Sequence, residues 1–282
     1  MDPLLSALAG LVQGLTEFLP ISSTAHLTLF GRAFGLVDPQ HPEEWTAYIA
    51  VLQMGTLGAV IAYFRHEIVS ISLSFLKENV VHPRSLRSQS RESSMGWLVI
   101  LGTVPVGIIG LLLKDIIEGP WTKNLILIAS AQIFFASLLF LAEKVSNHSR
   151  DSEHIGWKDA LGVGIGQAFA LIPGASRSGS TLTAALFMGL TRSDAARFSF
   201  LLSIPAILLS GMLELDSVLP SLTLEMVASY SAGILTAAIS GYVSIAFLIR
   251  YLQKNSTSVF IVYRLVLGAG LLIAILTESI TP

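Results

Sequence analysis

The stretch Pro173-Gly174-Ala175-Ser176-Arg177-Ser178-Gly179-Ser180-Thr181 constrains the fold most, because it sets a polar, helix-breaking run inside an apolar segment, residues 160–190. Pro173 and Gly174 stop one helix, and the serines after them can cap the next, so several free backbone N–H groups point at one spot. That spot favours an anion. Arg177 adds a permanent charge whose planar fork can grip two phosphate oxygens at once. In isolation the competing reading is a capped loop that happens to hold an arginine.

Composition supplies the setting. The 282 residues are 52% hydrophobic and 13% charged, which describes a polytopic helical membrane protein rather than a soluble enzyme. A formal net charge of −2 offers no basic field for nucleic acid, and the absence of cysteine removes disulfides, thiol nucleophiles and thiolate metal ligands. Met1-Asp2-Pro3 lacks a positively charged leader, so no cleaved signal peptide is expected and the first apolar stretch belongs to the fold.

Six stretches are candidate full spans: residues 45–64, 95–113, 125–141, 198–213, 227–249 and 259–276. Two others are broken. Residues 4–35 are divided at Pro20 and interrupted by Gln13, Glu17 and His26, while residues 160–190 are divided at Pro173-Gly174. Each half of the first is about 15 residues, whereas spanning needs roughly 20. Both are therefore predicted to be re-entrant hairpins that dip to mid-membrane and return, tolerated because protein or a cavity surrounds the turn. Gly10 and Gly14, four apart on one face, would let another helix approach closely.

The two broken stretches resemble each other. Gln13, Pro20, Ser22, Ser23, Phe30 and Gly35-Leu36 match in kind Gln167, Pro173, Ser176, Ser178, Phe187 and Gly189-Leu190. A single membrane domain over residues 1–282 then divides into a first repeat, 1–143 with hairpin 4–35, and a second, 159–282 with hairpin 160–190. Each holds one hairpin and three spans, and three is odd, so the repeats must face opposite ways. Loop charge tests this independently. The loops at 65–91, 144–158 and 250–254 carry ten of the 17 lysines and arginines and are expected in the cytoplasm, whereas both termini, the loop with Glu214, Asp216 and Glu225 and the turn of mixed charge near Asp115 and Glu118 are expected outside. The hairpins then meet near the midplane, with the N-termini of their second halves converging on one cavity.

Candidate chemistry lies at that meeting point. Gln13 and Glu17 are one helical turn apart, and an ionisable side chain at this depth is a functional candidate. The competing role for Glu17 is to satisfy the backbone of its own hairpin. After Pro20, the hydroxyls of Ser22, Ser23 and Thr24 begin a new helix, and His26 shares a face with Ser22 and Ser23. A hydroxyl beside an imidazole is the minimum for an activated nucleophile, and Glu17 could orient that base or hold a divalent cation. The plainer alternative is a set of capping hydroxyls and a buried histidine. Ser22, Thr24, Gly174, Ser176, Ser178 and Thr181 complete the set as candidate substrate contacts. Hydroxyls, histidine, carboxylate, arginine and two helix N-termini are the parts phosphoryl transfer uses, and a phosphate ester at membrane depth implies a lipid tail beside it. Outside this set, Arg192, Asp194 and Arg197 read as a solvated turn, and Arg264, inside the last span beside Tyr263, as a structural pair. Residues 77–94 read as a cytoplasmic loop able to touch anionic headgroups.

Gln-Gly-Leu-Thr-Glu-Phe-Leu-Pro-Ile-Ser-Ser-Thr-Ala-His at 13–26 and Pro-Gly-Ala-Ser-Arg-Ser-Gly-Ser-Thr at 173–181 resemble the two signature motifs of the bacitracin-resistance type undecaprenyl pyrophosphate phosphatases. The resemblance covers the whole chain in length and span pattern. It implies an inner-membrane, multi-pass enzyme that removes one phosphate from undecaprenyl pyrophosphate and depends on magnesium or calcium. Its expected partners are the bilayer and the polyprenyl pyrophosphate, with room for a homodimer. Residue by residue, Glu17 matches the family's second motif glutamate, Ser23 its proposed nucleophile, His26 its catalytic histidine and Arg177 its phosphate-binding arginine. Gln13 stands where that motif has its first glutamate, so Glu17 is the stronger metal ligand of the two. The architecture also fits a secondary transporter or flippase for polyprenyl phosphate lipids. A carrier needs an anion clamp but no hydroxyl poised beside a base.

Overall fold

The computed structural model describes residues 2–38, 40–218 and 223–281, and it is all-helical apart from one isolated two-residue bridge. In chain order the helices are α1 (Pro3–Glu17), α2 (Ser23–Ala33), α3 (Pro42–Tyr63), α4 (Arg65–Leu76), α5 (Arg91–Leu112), α6 (Lys114–Glu118), α7 (Leu125–Val145), α8 (Trp157–Ala168), α9 (Arg177–Phe187), α10 (Arg192–Val218), α11 (Leu224–Leu252) and α12 (Ser258–Leu276). Among the described residues six helices are long and apolar enough to cross a bilayer, namely α3, α5, α7, α10, α11 and α12. They coincide with the six predicted spans, and the chain is a multi-pass membrane protein.

Local chemistry sets the breaks. Asp2 caps α1, its carboxylate accepting from the Leu4 N–H at 2.6 Å, with Pro3 in the first turn. The helix stops three residues before Pro20. Ser22 (φ 74°) then caps α2 through the Ala25 N–H, and Ser176 (φ 70°) caps α9 through the Gly179 N–H. Left-handed backbone at a serine is uncommon, and both hairpins place it at the residue that turns the chain. Both also end alike. Gly35 and Gly189 adopt positive φ, and the following Leu36 and Leu190 donate back to Gly31 and Ala185, the closure of a Schellman motif.

The helices pair in exchanged couples. α1 lies on α11 while α8 lies on α5, α3 lies on α11 while α10 lies on α5, and the couples α3 with α10 and α7 with α12 complete the bundle. At the α1–α11 crossing a methyl added to Gly10 would sit 2.1 Å from the Gly233 carbonyl oxygen, and at the α8–α5 crossing one added to Gly164 would sit 2.4 Å from that of Gly102. Backbone meets backbone at both. Gly10→Val is therefore expected to prise α1 from α11. Overpacking of this kind costs about 1–3 kcal/mol, seen as a lower midpoint of thermal unfolding in detergent, and an unchanged midpoint would show that the close approach is dispensable.

A core of Phe18, Leu182, Leu186, Phe198 and Phe200 lies beneath the hairpin turns, with Phe18 meeting Phe200 edge to face at 5.3 Å. Phe18 follows Glu17 directly, so its burial fixes where α1 ends. On the other hairpin, Arg150 grips Asp159 of α8 through both carboxylate oxygens at 2.8 and 2.7 Å and also donates to the Met188 carbonyl. Burial works against ionisation of Asp159, but Arg150 and the Gly156 N–H outweigh it and hold the carboxyl below its ordinary range.

Two expectations need correction. Residues 65–91, read as a loop, begin with helix α4, because Ile68 and Ile71 find a place against the core where only a polar tract was expected. Arg192, Asp194 and Arg197 are not a solvated turn but the first turns of α10. Arg192 Nε donates to Glu143 at 2.7 Å, Arg197 pairs with Glu67 at 2.8 Å while lying over the Phe64 ring, and Asp194 accepts from the Thr191 hydroxyl at 2.6 Å. Ion pairing across helices replaces hydration there. As for the expected outer loop, α10 continues to Val218, and the connection at 219–222 with the side chains of Glu214, Asp216 and Glu225 lies outside the described residues.

Candidate active site at the meeting of two hairpin turns

Helix α1 carries Gln13 and Glu17 on its buried face, where the Gln13 Nε2 donates to Glu17 Oε2 at 2.9 Å. Ser23 opens α2, and its hydroxyl donates to the same Oε2 at 2.7 Å. From the other hairpin Arg177 opens α9, and its Nη2 donates to Glu17 Oε1 at 2.6 Å. Ser178 adds a second tie to the first hairpin, its hydroxyl donating to the Leu19 carbonyl at 3.0 Å while standing 3.2 Å from that of Ser176. Two sequence motifs far apart in the chain are thus joined at one carboxylate.

Both Glu17 oxygens are engaged, yet two neighbours are left over. Arg177 Nη1 and Gln13 Oε1 are buried and have no partner among the described residues. An unmet buried donor or acceptor costs about 1–3 kcal/mol, a penalty that a ligand can relieve. One is cationic and the other an oxygen acceptor. The arrangement is ready for an anion on the Arg177 side and a hard cation on the Gln13 side, with the N-termini of α2 and α9 adding positive potential. Among the described residues no three His, Asp or Glu side chains cluster as a metal cage. Glu17, the unpartnered Gln13 Oε1 and the Ser23 hydroxyl nevertheless fit a divalent cation that takes most of its oxygens from phosphate and water, the usual manner of magnesium.

His26 is oriented differently from what its spacing suggested. Its Nδ1 lies 2.7 Å from the Ser22 carbonyl. A carbonyl only accepts, so Nδ1 carries the hydrogen and Nε2 of the neutral ring keeps its lone pair. That lone pair accepts from the Tyr263 hydroxyl at 2.5 Å, and the two rings stack at 5.6 Å. The Ser23 hydroxyl has turned to Glu17, because a carboxylate is the stronger acceptor. Serine and histidine flank one site without bonding to each other.

Of the remaining predicted contacts, Thr24 is half-buried on the first turn of α2, and Ser176 is buried as the α9 cap. Thr181 is turned away, bonding to the Arg177 carbonyl at 2.7 Å and to Ser199 of α10 at 2.5 Å. Gly174 belongs to a clamp: its carbonyl and that of Ala175 accept from Arg264 Nη2 at 3.0 and 2.8 Å. Arg264 is 0% exposed, and its Nε donates to Gln132 Oε1 at 2.7 Å, while Gln132 Nε2 donates to the Ile21 carbonyl at 2.9 Å. Gln132 of α7 therefore holds one hairpin turn and Arg264 of α12 the other, joined across the α7–α12 contact. The sequence pointed to a pair for Arg264 but not to this partner. The available signal was a lone amide inside the apolar run 125–141.

Residues 6–270 match the family model described as Bacitracin resistance protein BacA. An undecaprenyl-diphosphatase of Syntrophobacter fumaroxidans is 53% identical over 272 residues, covering 96% of this chain and 97% of the relative. One from Myxococcus xanthus is 45% identical over 282 residues, covering 100% and 92%, and one from Gloeobacter violaceus is 45% identical over 278 residues, covering 97% and 93%.

Proposed function

The chain belongs to the bacitracin resistance protein BacA family, and from that premise we propose that it hydrolyses undecaprenyl pyrophosphate to undecaprenyl phosphate and inorganic phosphate. It thereby returns the carrier lipid to peptidoglycan synthesis, which is how it confers bacitracin resistance. The carrying observation is the Glu17–Arg177 junction with its unpartnered Arg177 Nη1. A phosphate oxygen can bind Nη1 while Nη2 stays on Glu17, so substrate enters without breaking the ion pair.

The hydrogen bonds support a division of labour. Ser23 Oγ, whose hydrogen already points at Glu17 Oε2, attacks the terminal phosphorus as Glu17 takes that hydrogen. The bond to the bridging oxygen breaks, and undecaprenyl phosphate departs. Water then attacks the phosphoserine and gives its proton to the Tyr263 oxygen as the hydroxyl hydrogen of Tyr263 passes to His26 Nε2, the Ser23–phosphorus bond breaks, and Glu17 returns the hydrogen to Ser23. Arg177 and the α9 N-terminus hold the equatorial oxygens throughout. Magnesium or calcium on Glu17 and Gln13 Oε1 would supply further positive charge to those oxygens. Tyr263 keeps the His26 ring in place. Tyr263→Phe is expected to slow turnover about tenfold or less and to alter the pH profile, whereas an unchanged profile would mean that the Ser22 carbonyl suffices.

The same reading takes the hairpins as re-entrant and the repeats as inverted. Its support is the matched serine caps, the matched glycine ends and the exchanged helix pairs. The basic loops then face the cytoplasm, both termini face outward, and the protein resides in the plasma membrane. The deciding experiment is phosphate release from undecaprenyl pyrophosphate by detergent-purified protein, with magnesium and with chelator. Release that needs the cation is expected. Folded protein that binds the lipid but releases nothing would replace the phosphatase with a carrier, tested next by lipid flux across vesicles.

A further inference from the structure

Helix α4 has two apolar faces. Ile68 and Ile71 pack on the core, and Phe75 packs where a methyl on Gly96 of α5 would touch its ring at 2.6 Å. Val69, Leu73 and Leu76 recur four and three residues apart on another side, and they are 55%, 63% and 53% exposed. Val80 and Val81, on the wide turn after α4, extend this surface at 68% and 64%.

Its depth is given by two contacts. Near the start of α4, Glu67 pairs with Arg197, five residues into α10 from Arg192. Near its end, Phe75 meets Gly96, five residues into α5 from Arg91. At the rise of an α-helix both points lie about 7–8 Å from where those spans begin. Helix α4 therefore runs across the bundle at constant depth instead of along it. Interfacial helices bury their apolar face roughly 5–10 Å into the boundary between headgroups and acyl chains.

Charge completes the match. Arg65, Lys77, Arg84 and Arg87 are exposed around this surface, and Lys77 and Arg87 make no ion pair among the described residues. The two acids of α4 and the turn after it are neutralised, Glu67 by Arg197 and buried Glu78 by Arg84 and the Ser90 N–H, while Glu92, on the first turn of α5, is exposed. What remains is an apolar row rimmed by positive charge.

We infer that α4 and the segment after it form a membrane-surface platform for anionic phospholipid headgroups, separate from the substrate site. The row of Val69, Leu73, Leu76 and Val80 enters the acyl boundary, and Lys77 and Arg87 take the phosphate-bearing headgroups.

The chain has no cysteine, so single labels are clean. Leu73→Cys and Val80→Cys, spin-labelled in full-length protein, are compared in vesicles of phosphatidylcholine alone and of phosphatidylcholine with phosphatidylglycerol. The expected result is that collisions with oxygen exceed those with a nickel chelate about threefold or more when phosphatidylglycerol is present, and that adding Lys77→Glu with Arg87→Glu abolishes the excess. Labels equally open to the nickel chelate in both vesicles would overturn the platform. Immersion indifferent to headgroup charge would overturn the anionic recognition, and shielding that appears only at high protein density would assign the surface to a second copy. Phosphate release by the same preparations in detergent reports separately on the proposed function and is expected to survive both glutamate substitutions.

Discussion

Arg177→Ala is expected to lower kcat/KM for phosphate release from undecaprenyl pyrophosphate by about a thousandfold or more, equivalent to about 4 kcal/mol of transition-state stabilisation. Two losses combine. The transferred phosphoryl group loses the guanidinium that would hold its oxygens, and Glu17 itself loses the partner that lies 2.6 Å from Oε1. Leaving a buried carboxylate unpaired is strongly destabilising, so the alanine variant alone cannot separate chemistry from folding. Arg177→Lys can. An ammonium is a point donor, able to serve Glu17 or the phosphate but not both edges at once. The lysine variant is therefore expected to unfold near the wild-type temperature and yet keep only a small fraction of the rate. Wild-type turnover in Arg177→Lys would sink the idea that one guanidinium bridges carboxylate and substrate.

The same bridge explains what the sequence made legible and what it did not. Hydropathy located all six spans, because a bilayer leaves only one backbone solution for a long apolar run. Pro20 and Pro173-Gly174 located both turns for an equally local reason. The candidate-site residues stood out by type, since Glu17, Arg177 and His26 are costly inside apolar segments unless they pair or do chemistry. Their partners were not. Spacing on a single helix suggested Ser23 beside His26, but the competing acceptor, Glu17, lies across the turn, and the stacking partner, Tyr263, arrives from α12. Helix α4 was hidden for the opposite reason: its serines dilute the apolar period, and only packing against α5 reveals that Ile68, Ile71 and Phe75 share a face.

Arg264→Met should be the most disruptive change away from the substrate. Arg264 is a fully buried cation without a carboxylate partner among the described residues, held by Gln132 Oε1 and the Gly174 and Ala175 carbonyls. Methionine fills the volume and removes every donor. Two acceptors, Gln132 Oε1 and the Gly174 carbonyl, are then orphaned at about 1–3 kcal/mol each, and the Ala175 carbonyl keeps only the Ser180 hydroxyl at 3.5 Å, against a total stability of roughly 5–15 kcal/mol. The thermal midpoint in detergent should fall sharply. Activity measured well below that midpoint should fall as well, because Ala175 is two residues from Arg177 and the freed turn no longer aims its guanidinium at Glu17. Gln132→Ala cuts the same network from its other end and also releases the Ile21 carbonyl, so the two substitutions should be strongly non-additive. Additive losses would mean that each hairpin turn is anchored on its own. A wild-type midpoint and rate in Arg264→Met would mean that the turns hold their register without the clamp, and the positioning of Arg177 would then rest on Ser178, whose hydroxyl ties α9 directly to the Leu19 carbonyl.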